Sequence, residues 1–368
     1  MSLNDSKPIL EAKNIEVRRG GTIVLNVPSL FIGEGEILSL IGPNGAGKTT
    51  LLQTLSYLIK PSQGKIYFKG EELNSTRPVF EYRRKFAMVF QEPLLFDTTV
   101  FGNVASGLRI RGMKGMEIRS RVTEQLDRLG ISHLSHRSAK TLSGGEAQRT
   151  SLARAFAIQP EILLLDEPFA SLDPPTRESL MEDLEHILQH TRTTAIFATH
   201  DRLEALRLSH RIAVMNEGRI LQIGSPEVVM NCPENEFVAS FVGVETILTG
   251  RVIKKNGGTF VASVSGQEIE AVGDAHSGET VLLCIRPENV TLSTHPSEGA
   301  TSARNVFRGR VEKVISLGLY QKVQINCGFP LIAYVTHHSL ENLSLQEGRE
   351  VVAAFKATAI HVVRRKEG

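Results

Sequence analysis

This 368-residue chain is short of several things, and each shortage removes a class of protein. It has three cysteines, Cys232, Cys284 and Cys327, odd in number and far apart. That leaves neither a disulfide framework nor a zinc spacing. No run approaches 18 apolar residues, so the sequence offers no helix that spans a bilayer. Charge of one sign is also missing: 42 Lys and Arg face 40 Asp and Glu, a net +2. A polybasic surface for nucleic acid is therefore not expected, and nucleic acid is not read as a partner. Met1–Lys7 lacks the apolar core of a secretion signal. These absences describe a protein of the reducing cytosol, and any membrane work would need a second chain to supply the membrane part. The length suggests two or three domains, and the 41% apolar content is ordinary for a globular chain.

What is present is concentrated in short motifs. Gly42-Pro43-Asn44-Gly45-Ala46-Gly47-Lys48-Thr49-Thr50 fits the phosphate-cradle pattern G-x-x-x-x-G-K-[ST]. It follows an apolar strand candidate, Ile37–Ile41, and precedes a helix pattern with Leu51, Leu55 and Leu58 on one face. The glycines let the backbone curl until its N–H groups face phosphate oxygens, and the helix N-terminus adds partial positive charge. Lys48 suits the β- and γ-phosphates of a nucleotide, and the Thr49 hydroxyl suits Mg2+. Without that strand–loop–helix context the same residues would be a glycine turn before a core helix.

Glu161-Ile162-Leu163-Leu164-Leu165-Asp166-Glu167-Pro168 is an apolar run ending in two acids. The run reads as a parallel strand buried on both faces. Asp166 falls at its carboxyl end, where ligands bind in open α/β sheets, and is placed to hold Mg2+. Glu167 is placed to orient or deprotonate an attacking water. Taken alone the pair would be a solvated acidic loop; the cradle upstream favours the catalytic reading.

A further stretch, Leu142-Ser143-Gly144-Gly145-Glu146-Ala147-Gln148-Arg149, opens a helix pattern running through Leu152 and Ala155, so it too presents a helix N-terminus. With these motifs in this order the chain resembles the nucleotide-binding subunits of ABC transporters over essentially its whole length. The resemblance implies ATP and Mg2+ as cofactors, and a homodimer in which each signature closes over the nucleotide of its partner through Ser143 and Gly145. It assigns Gln91, in Val89-Phe90-Gln91-Glu92-Pro93, to the Q-loop that senses the γ-phosphate and Mg2+. Asp173 matches the interfacial D-loop, and His200, after the apolar strand Thr194–Thr199, matches the switch histidine. The family usually stacks an aromatic residue on adenine near the end of the first strand; that position falls on Arg19, whose guanidinium plane can also stack or can simply be basic surface.

Residues 1–243 read as this ATP-binding domain, an α/β P-loop core with a helical subdomain at about 98–158. Short strands at Ile9–Val17 and Lys65–Lys69 flank the cradle, and Glu117–Leu126 is amphipathic with Ile118, Val122 and Leu126 on one face. Alternating strands and helices predict a largely parallel sheet. Past Gly243 the pattern changes to short strands: Thr259–Val264, Val281–Ile285, Val306–Ser316, Lys322–Asn326 and Val351–Lys356, with Pro296–Ala300 as a link between two halves. Residues 244–368 therefore read as an all-β barrel or sandwich.

Ile285-Arg286-Pro287-Glu288-Asn289-Val290 resembles the accessory β-domain of importer ATPases. Thr301–Asn305, Val335–Ser339, Leu343–Leu345 and Phe355–Ala357 resemble the molybdate/tungstate-binding (TOBE/MOP-like) version of it. That likeness implies an oxyanion bound by Ser302, Arg304, Thr336 and Lys356: two cations and hydroxyl donors without a carboxylate suit a tetrahedral dianion. The reading is an ATP-hydrolysing importer subunit for molybdate or tungstate. Its partners would be two integral-membrane permease subunits and an extracytoplasmic substrate-binding protein, and its place the cytoplasmic face of the membrane. Sulfate, polyamine, ferric iron and sugar stay open as cargo if the β-domain is only a dimerising element. A soluble ABC ATPase of translation or DNA repair would carry two cassettes or a coiled coil, and an oxyanion regulator a nucleic-acid-binding module; neither pattern is present.

Overall fold

The computed structural model describes residues 8–73, 79–295 and 301–364. The readings of Met1–Lys7 and of the Pro296–Ala300 link lie outside the described residues. The chain divides into two compact units, residues 1–226 and 227–368. The first is the expected α/β core and the second is all-β apart from short helices.

In the first unit β1 (Pro8–Arg19) and β2 (Thr22–Gly33) make a hairpin about Gly20 and Gly21, both at positive φ. β3 (Ile37–Ile41) leads into α1 (Lys48–Leu55), followed by β4 (Gln63–Phe68) and β5 (Glu71–Glu72). The strands expected near residues 9–17 and 65–69 do form, but in a sheet of their own. Its order is β2-β1-β4-β5 and its pairing is antiparallel. α1 ends at Leu55, because Tyr57 turns to φ 59°, and Leu58, expected on the helix's buried face, is 50% exposed.

After α2 (Val79–Arg83) and β6 (Phe86–Val89) come α3 (Val100–Ile110), α4 (Gly115–Arg128) and α5 (Gly144–Ala157), all within the span read as helical. The amphipathic stretch is α4, and Ile118, Val122 and Leu126 are buried as its spacing requires. β7 (Ile162–Asp166), α6 (Pro174–Thr191), β8 (Thr194–Thr199), α7 (Arg202–Leu208), β9 (Arg211–Asn216) and β10 (Arg219–Gly224) complete the unit.

The second sheet has six strands in the order β10-β9-β3-β8-β7-β6, parallel throughout except for β10. Successive side chains of a strand point to opposite faces, and β7 shows the consequence. Leu163 and Leu165 enter a core with Leu108, Phe156 and Leu184 from the helices, whereas Ile162 and Leu164 enter a second core with Leu51 and Leu55 of α1. A strand covered on both sides must be apolar at every position, which is why the run 162–165 could be read from sequence.

The second unit holds α8 (Pro226–Asn231), α9 (Glu236–Phe241), β11 (Thr246–Asn256), β12 (Thr259–Val264), β13 (Gln267–Val272), β14 (Thr280–Ile285), β15 (Thr291–Ser293), β16 (Asn305–Ser316), β17 (Gln321–Asn326), β18 (Pro330–Val335), α10 (His337–Asn342), β19 (Glu350–Phe355) and β20 (Ile360–Arg364). The expected boundary at Gly243 falls inside this unit. Residues ahead of it are tied to the β-domain: Arg286 donates to the Met230 carbonyl, and His361 Nε2 to the Pro233 carbonyl at 2.9 Å. Two five-stranded antiparallel sheets, β13-β12-β11-β14-β20 and β15-β19-β16-β17-β18, share one core that includes Phe260, Ile285, Phe307 and Phe355. All five sequence-read strands are present, as β12, β14, β16, β17 and β19; β11, β13, β15, β18 and β20 go unread in the sequence, β13 being masked by three polar residues and β18 by an initial proline.

Buried polar side chains join the two sheets: the Thr246 hydroxyl of β11 accepts from the Ile332 N–H of β18 at 3.1 Å, and Asn305 makes two further bonds. Asn305, 1% exposed, accepts from the Glu270 N–H at 2.8 Å and donates to the Glu270 carbonyl at 2.9 Å. Replacing it by alanine leaves both backbone groups unpaired, a cost of about 1–3 kcal/mol. Amide hydrogen exchange across residues 267–272 should accelerate by about tenfold or more in Asn305→Ala; unchanged protection there would remove Asn305 from this role.

Candidate active site

The parallel strand order sets four motifs along one edge. The cradle follows β3, His200 follows β8, Asp166 ends β7 with Glu167 next, and Gln91 lies two residues beyond β6. These are the carboxyl ends of neighbouring strands, where open α/β sheets leave a crevice.

The cradle is shaped by close backbone approach. A Cβ at Gly42 would lie 2.3 Å from the Met215 carbonyl oxygen, and Gly45 and Gly47 sit at φ 82° and 96°. Behind the loop is the β9–β10 turn: Gly218 donates its N–H to the Ala46 carbonyl at 3.0 Å, and a Cβ at Gly47 would come within 3.1 Å of the Gly218 Cα. Sequence reasoning passed over Met215 and Gly218; the only signal was an Asn-Glu-Gly turn. Ala46 is buried, its N–H donating to the Pro43 carbonyl at 3.2 Å, while Asn44 stands exposed. Within α1 the Thr50 carbonyl accepts from the Thr54 hydroxyl at 2.7 Å.

α1 differs from most of the helices that follow; α4 also lacks a capping side chain but carries Glu117 in its first turn. α3, α5, α6 and α7 each have a side chain accepting from the N-terminal N–H groups. α1 has none, and no acid in its first turn. The first N–H groups of a helix have no partner within it. Here they face the loop as donors for an anion, and the dipole favours negative charge at that end. Lys48 is 5% exposed, its Nζ donating to the Gly42 and Pro43 carbonyls at 2.8 and 3.1 Å. A buried cation beside a helix N-terminus with neither a capping side chain nor an acid in its first turn fits a nucleotide polyphosphate.

The acidic side of the crevice is as tightly made. Asp166 is 6% exposed and accepts from the Thr49 hydroxyl at 3.0 Å. Burial is the main cause that raises its pKa, with the Glu167 charge adding to it and the Thr49 bond opposing. Glu167 has φ 47°, a left-handed conformation that costs a non-glycine residue about 1–2 kcal/mol, and its N–H donates to the Ala198 carbonyl at 2.9 Å. Its carboxylate lies 3.4 Å from Lys48 Nζ and 2.9 Å from His200 Nδ1. A hydroxyl beside a buried carboxylate fits a hard divalent cation. Among the described residues no cluster of three or more His, Cys, Asp or Glu could hold a metal without other ligands.

Lys48, Thr49, Asp166, Glu167 and His200 are thus brought together. The other residues are not. Gln91 is exposed on the same edge. Ser143 forms a capping box with Glu146 at the start of α5: its hydroxyl accepts from Glu146 N–H at 3.3 Å and the Glu146 carboxylate from Ser143 N–H at 2.7 Å. α5 packs on α3 and α4, whereas α1 packs on β7 and β8. Gly145 is required by the close approach of Thr176, whose Cγ2 would lie 2.4 Å from a Cβ. Asp173 is exposed and caps α6 through Thr176 N–H at 3.2 Å; its hydrogen bonds to Thr176 hold its pKa down. Arg19 ends β1, exposed, opposite Thr22.

In the β-domain, Asn305 pairs with Phe355 as the last pair of β16 and β19, and Arg304 and Lys356 each lie one residue beyond that pair, both exposed. Ser302 is exposed two residues earlier. Thr336 caps α10, accepting from Ser339 N–H at 3.1 Å, and follows β18. Val335 pairs with Gln321, which pairs with Ser316 at the far end of β16. The twelve residues of β16 lie between Thr336 and Arg304, roughly 40 Å of extended strand. One chain therefore does not gather the four residues expected to share an oxyanion.

Comparison with known proteins agrees with this picture. Residues 25–170 match the ABC transporter family model and residues 301–362 the TOBE domain. The chain is 40% identical to the molybdate/tungstate import ATP-binding protein WtpC of Pyrococcus horikoshii, over 91% of this chain and 94% of that one. It is 36% identical to the spermidine/putrescine import ATP-binding protein PotA of Pseudomonas aeruginosa, over 97% and 99%. Among solved structures, cbiO1 of Clostridium perfringens, part of the ABC transporter complex cbiONQ, is similar with a TM-score of 0.58 and 32% identity, over 65% of this chain and 96% of that one.

The raised pKa of Asp166 has a consequence for stability. The folded state disfavours its ionised form, so at neutral pH the ionised carboxylate opposes folding, and the penalty fades as the pH falls through the carboxylate range. Asp166→Asn keeps an acceptor for Thr49 and removes the charge. Thermal melts of the nucleotide-free protein should show the variant melting higher at neutral pH, with the gain shrinking on acidification, while Mg2+-dependent stabilisation by ATP is lost. A variant that melts lower at neutral pH would contradict this account.

Proposed function

The chain belongs to the ATP-binding subunits of ABC transporters, and from that premise we propose that it is the ATP-hydrolysing motor of an importer for molybdate or tungstate. It is an ATPase, and ATP is its nucleotide. The carrying observation is the crevice where Lys48, Glu167 and His200 meet beside an uncapped helix N-terminus.

In this reading the γ-phosphate lies against Lys48 and the N–H groups of the cradle. Glu167 orients a water and takes its proton as the water oxygen attacks the γ-phosphorus; the bond to the β–γ bridging oxygen breaks and ADP leaves. His200, hydrogen-bonded to Glu167, holds that carboxylate in place and contacts the γ-phosphate. Mg2+, held by Thr49 and Asp166 with Gln91 at the same edge, would neutralise phosphate charge. Arg19 would stack its guanidinium on the base. Two copies close head to tail, so that Ser143, Gly145 and the start of α5 from one face the cradle of the other, with Asp173 at the interface. The packing of α5 away from α1 supports this, because a signature on its own cradle would need no second copy.

The protein would sit at the cytoplasmic face of the membrane, on two permease subunits fed by an extracytoplasmic binding protein. No helix among the described residues is long and apolar enough to cross a membrane. The loop after Gln91 offers a docking surface: Leu94 and Phe96 are 60% and 57% exposed. Asn103 pairs with both backbone groups of Phe96, and Arg154 donates to the Leu94 carbonyl at 2.7 Å.

For cargo, Arg304 and Lys356, each one residue beyond the same strand pair, favour an anion. The similarity to PotA supports polyamine as a second reading, but two exposed cations at one ladder end repel a polycation. If the β-domain senses its cargo, that cargo is an oxyanion.

Two measurements test this reading. Glu167→Gln should bind ATP as the parent does while kcat falls by about a thousandfold; parental turnover would place the base elsewhere. Calorimetric titration of the full chain should give heat with molybdate and tungstate, none with spermidine, less with sulfate, and a loss in Arg304→Ala. Silence with all the oxyanions would leave the β-domain a dimerising element and the cargo reading without support.

A further inference from the structure

Both chain neighbours of His200 are tied to one cation that no motif includes. Arg177 lies in the first turn of α6, and its N–H donates to the Asp173 carbonyl at 2.9 Å. Its guanidinium reaches the turn between β8 and α7, bonding the Asp201 carboxylate and, at 2.5 Å, Glu204 Oε1. Glu204 is 3% exposed and its other oxygen accepts from the Thr199 hydroxyl at 2.5 Å. That hydroxyl accepts from the Asp201 N–H at 2.9 Å, and Asp201 Oδ1 in turn caps α7 through Leu203 N–H at 2.7 Å. Residues 199 and 201 are therefore fixed by one connected network, and His200 stands between them with its Nδ1 2.9 Å from Glu167.

We infer that Arg177 is a positioning residue for ATP hydrolysis: it fixes the Thr199-His200-Asp201 turn so that His200 holds Glu167, and it makes that hold depend on the Asp173 end of α6. The inference rests on the reading of His200 and Glu167 as hydrolytic groups. The physical basis is the buried Glu204 carboxylate. Removing the cation leaves that charge unpaired in a low-dielectric setting. Relief comes from protonation of Glu204 or from a shift of the turn that admits water; either changes the bonds that fix Thr199 and Asp201, and with them the position of His200. A staple serving stability alone would not need to join the proposed interfacial loop to the turn carrying His200. Through this network, movement of Asp173 at the dimer interface is transmitted to the hydrolytic carboxylate in the same subunit.

The test is steady-state Mg-ATPase of the purified full-length protein for Arg177→Ala, Arg177→Lys, Glu204→Gln, His200→Ala and the Arg177→Ala/His200→Ala double variant, with melting temperatures alongside. Arg177→Ala should lower kcat by about tenfold or more with KM for ATP within about twofold. Lysine should restore part of the loss, and in the His200→Ala background the alanine should cost less than about twofold more, because both changes act through one group. If Arg177→Ala does not fold, Arg177→Lys and Glu204→Gln carry the test, with the same fall in kcat at constant KM. A kcat within about twofold of the parent in every folded Arg177 and Glu204 variant would overturn the inference, as would losses that multiply fully in the double variant. If His200→Ala itself keeps parental turnover, the hydrolytic reading of His200 fails and takes this inference with it; if His200→Ala is impaired and the Arg177 variants are not, only Arg177's role falls.

Discussion

A carboxylate held almost out of water at the carboxyl end of a parallel strand conditions what surrounds it. Asp166 reaches that position because β7 is covered on both faces and must end where the sheet ends. An ionised carboxylate there is poorly solvated, so its surroundings must supply what water does not. Thr49 supplies one hydroxyl donor, and the adjoining Lys48 supplies positive charge to the crevice. The backbone then turns through a left-handed residue, placing Glu167 between Lys48 and His200. Two carboxylates, a nearly buried lysine and an uncapped helix carry a cost that the proposed phosphate–cation pair would offset.

The same economy recurs at the helix starts. Ser143 and Asp173, which family resemblance assigns to intersubunit contacts, serve within the single chain as N-caps of α5 and α6. A cap residue is a good choice for such work. Its side chain stands at the positive end of a helix, its geometry is fixed by the first turn, and its exposure leaves it accessible to an incoming group. The Arg177 network extends this logic, because the helix that Asp173 caps also carries the cation that fixes the turn bearing His200.

The β-domain follows different rules. Its core comes from two antiparallel sheets joined through Asn305, and the residues that could meet an anion lie on exposed strand ends rather than in a crevice. Arg304 and Lys356 each lie one residue beyond the Asn305–Phe355 pair that ends the β16–β19 ladder. Thr336 carries a motif of the same resemblance yet sits beyond the other end of β16. Motif order along a chain says little about convergence in an antiparallel sheet, where one long strand separates its two partners by its own length.

The local features are legible in the amino-acid sequence. The glycine loop, the start of α1, the run of β7 and the amphipathic α4 each follow from interactions among residues close along the chain: backbone freedom at glycine, strand burial on two faces, helical spacing. Half of the ten strands described in the β-domain can be read for the same reason; those missed are the long, polar-interrupted β11 and the shorter β13, β15, β18 and β20. Sequence by itself determined the set of chemical groups and the elements that carry them. Only the tertiary structure decided which groups meet. The order β3-β8-β7-β6 brought His200 to Glu167, the β9–β10 turn closed behind the cradle, strands near the N-terminus left for an antiparallel sheet, and Arg177 reached across to Glu204. Those contacts join residues far apart along the chain, and their register is set by burial of whole sheets and helices, a property that no local stretch of sequence contains.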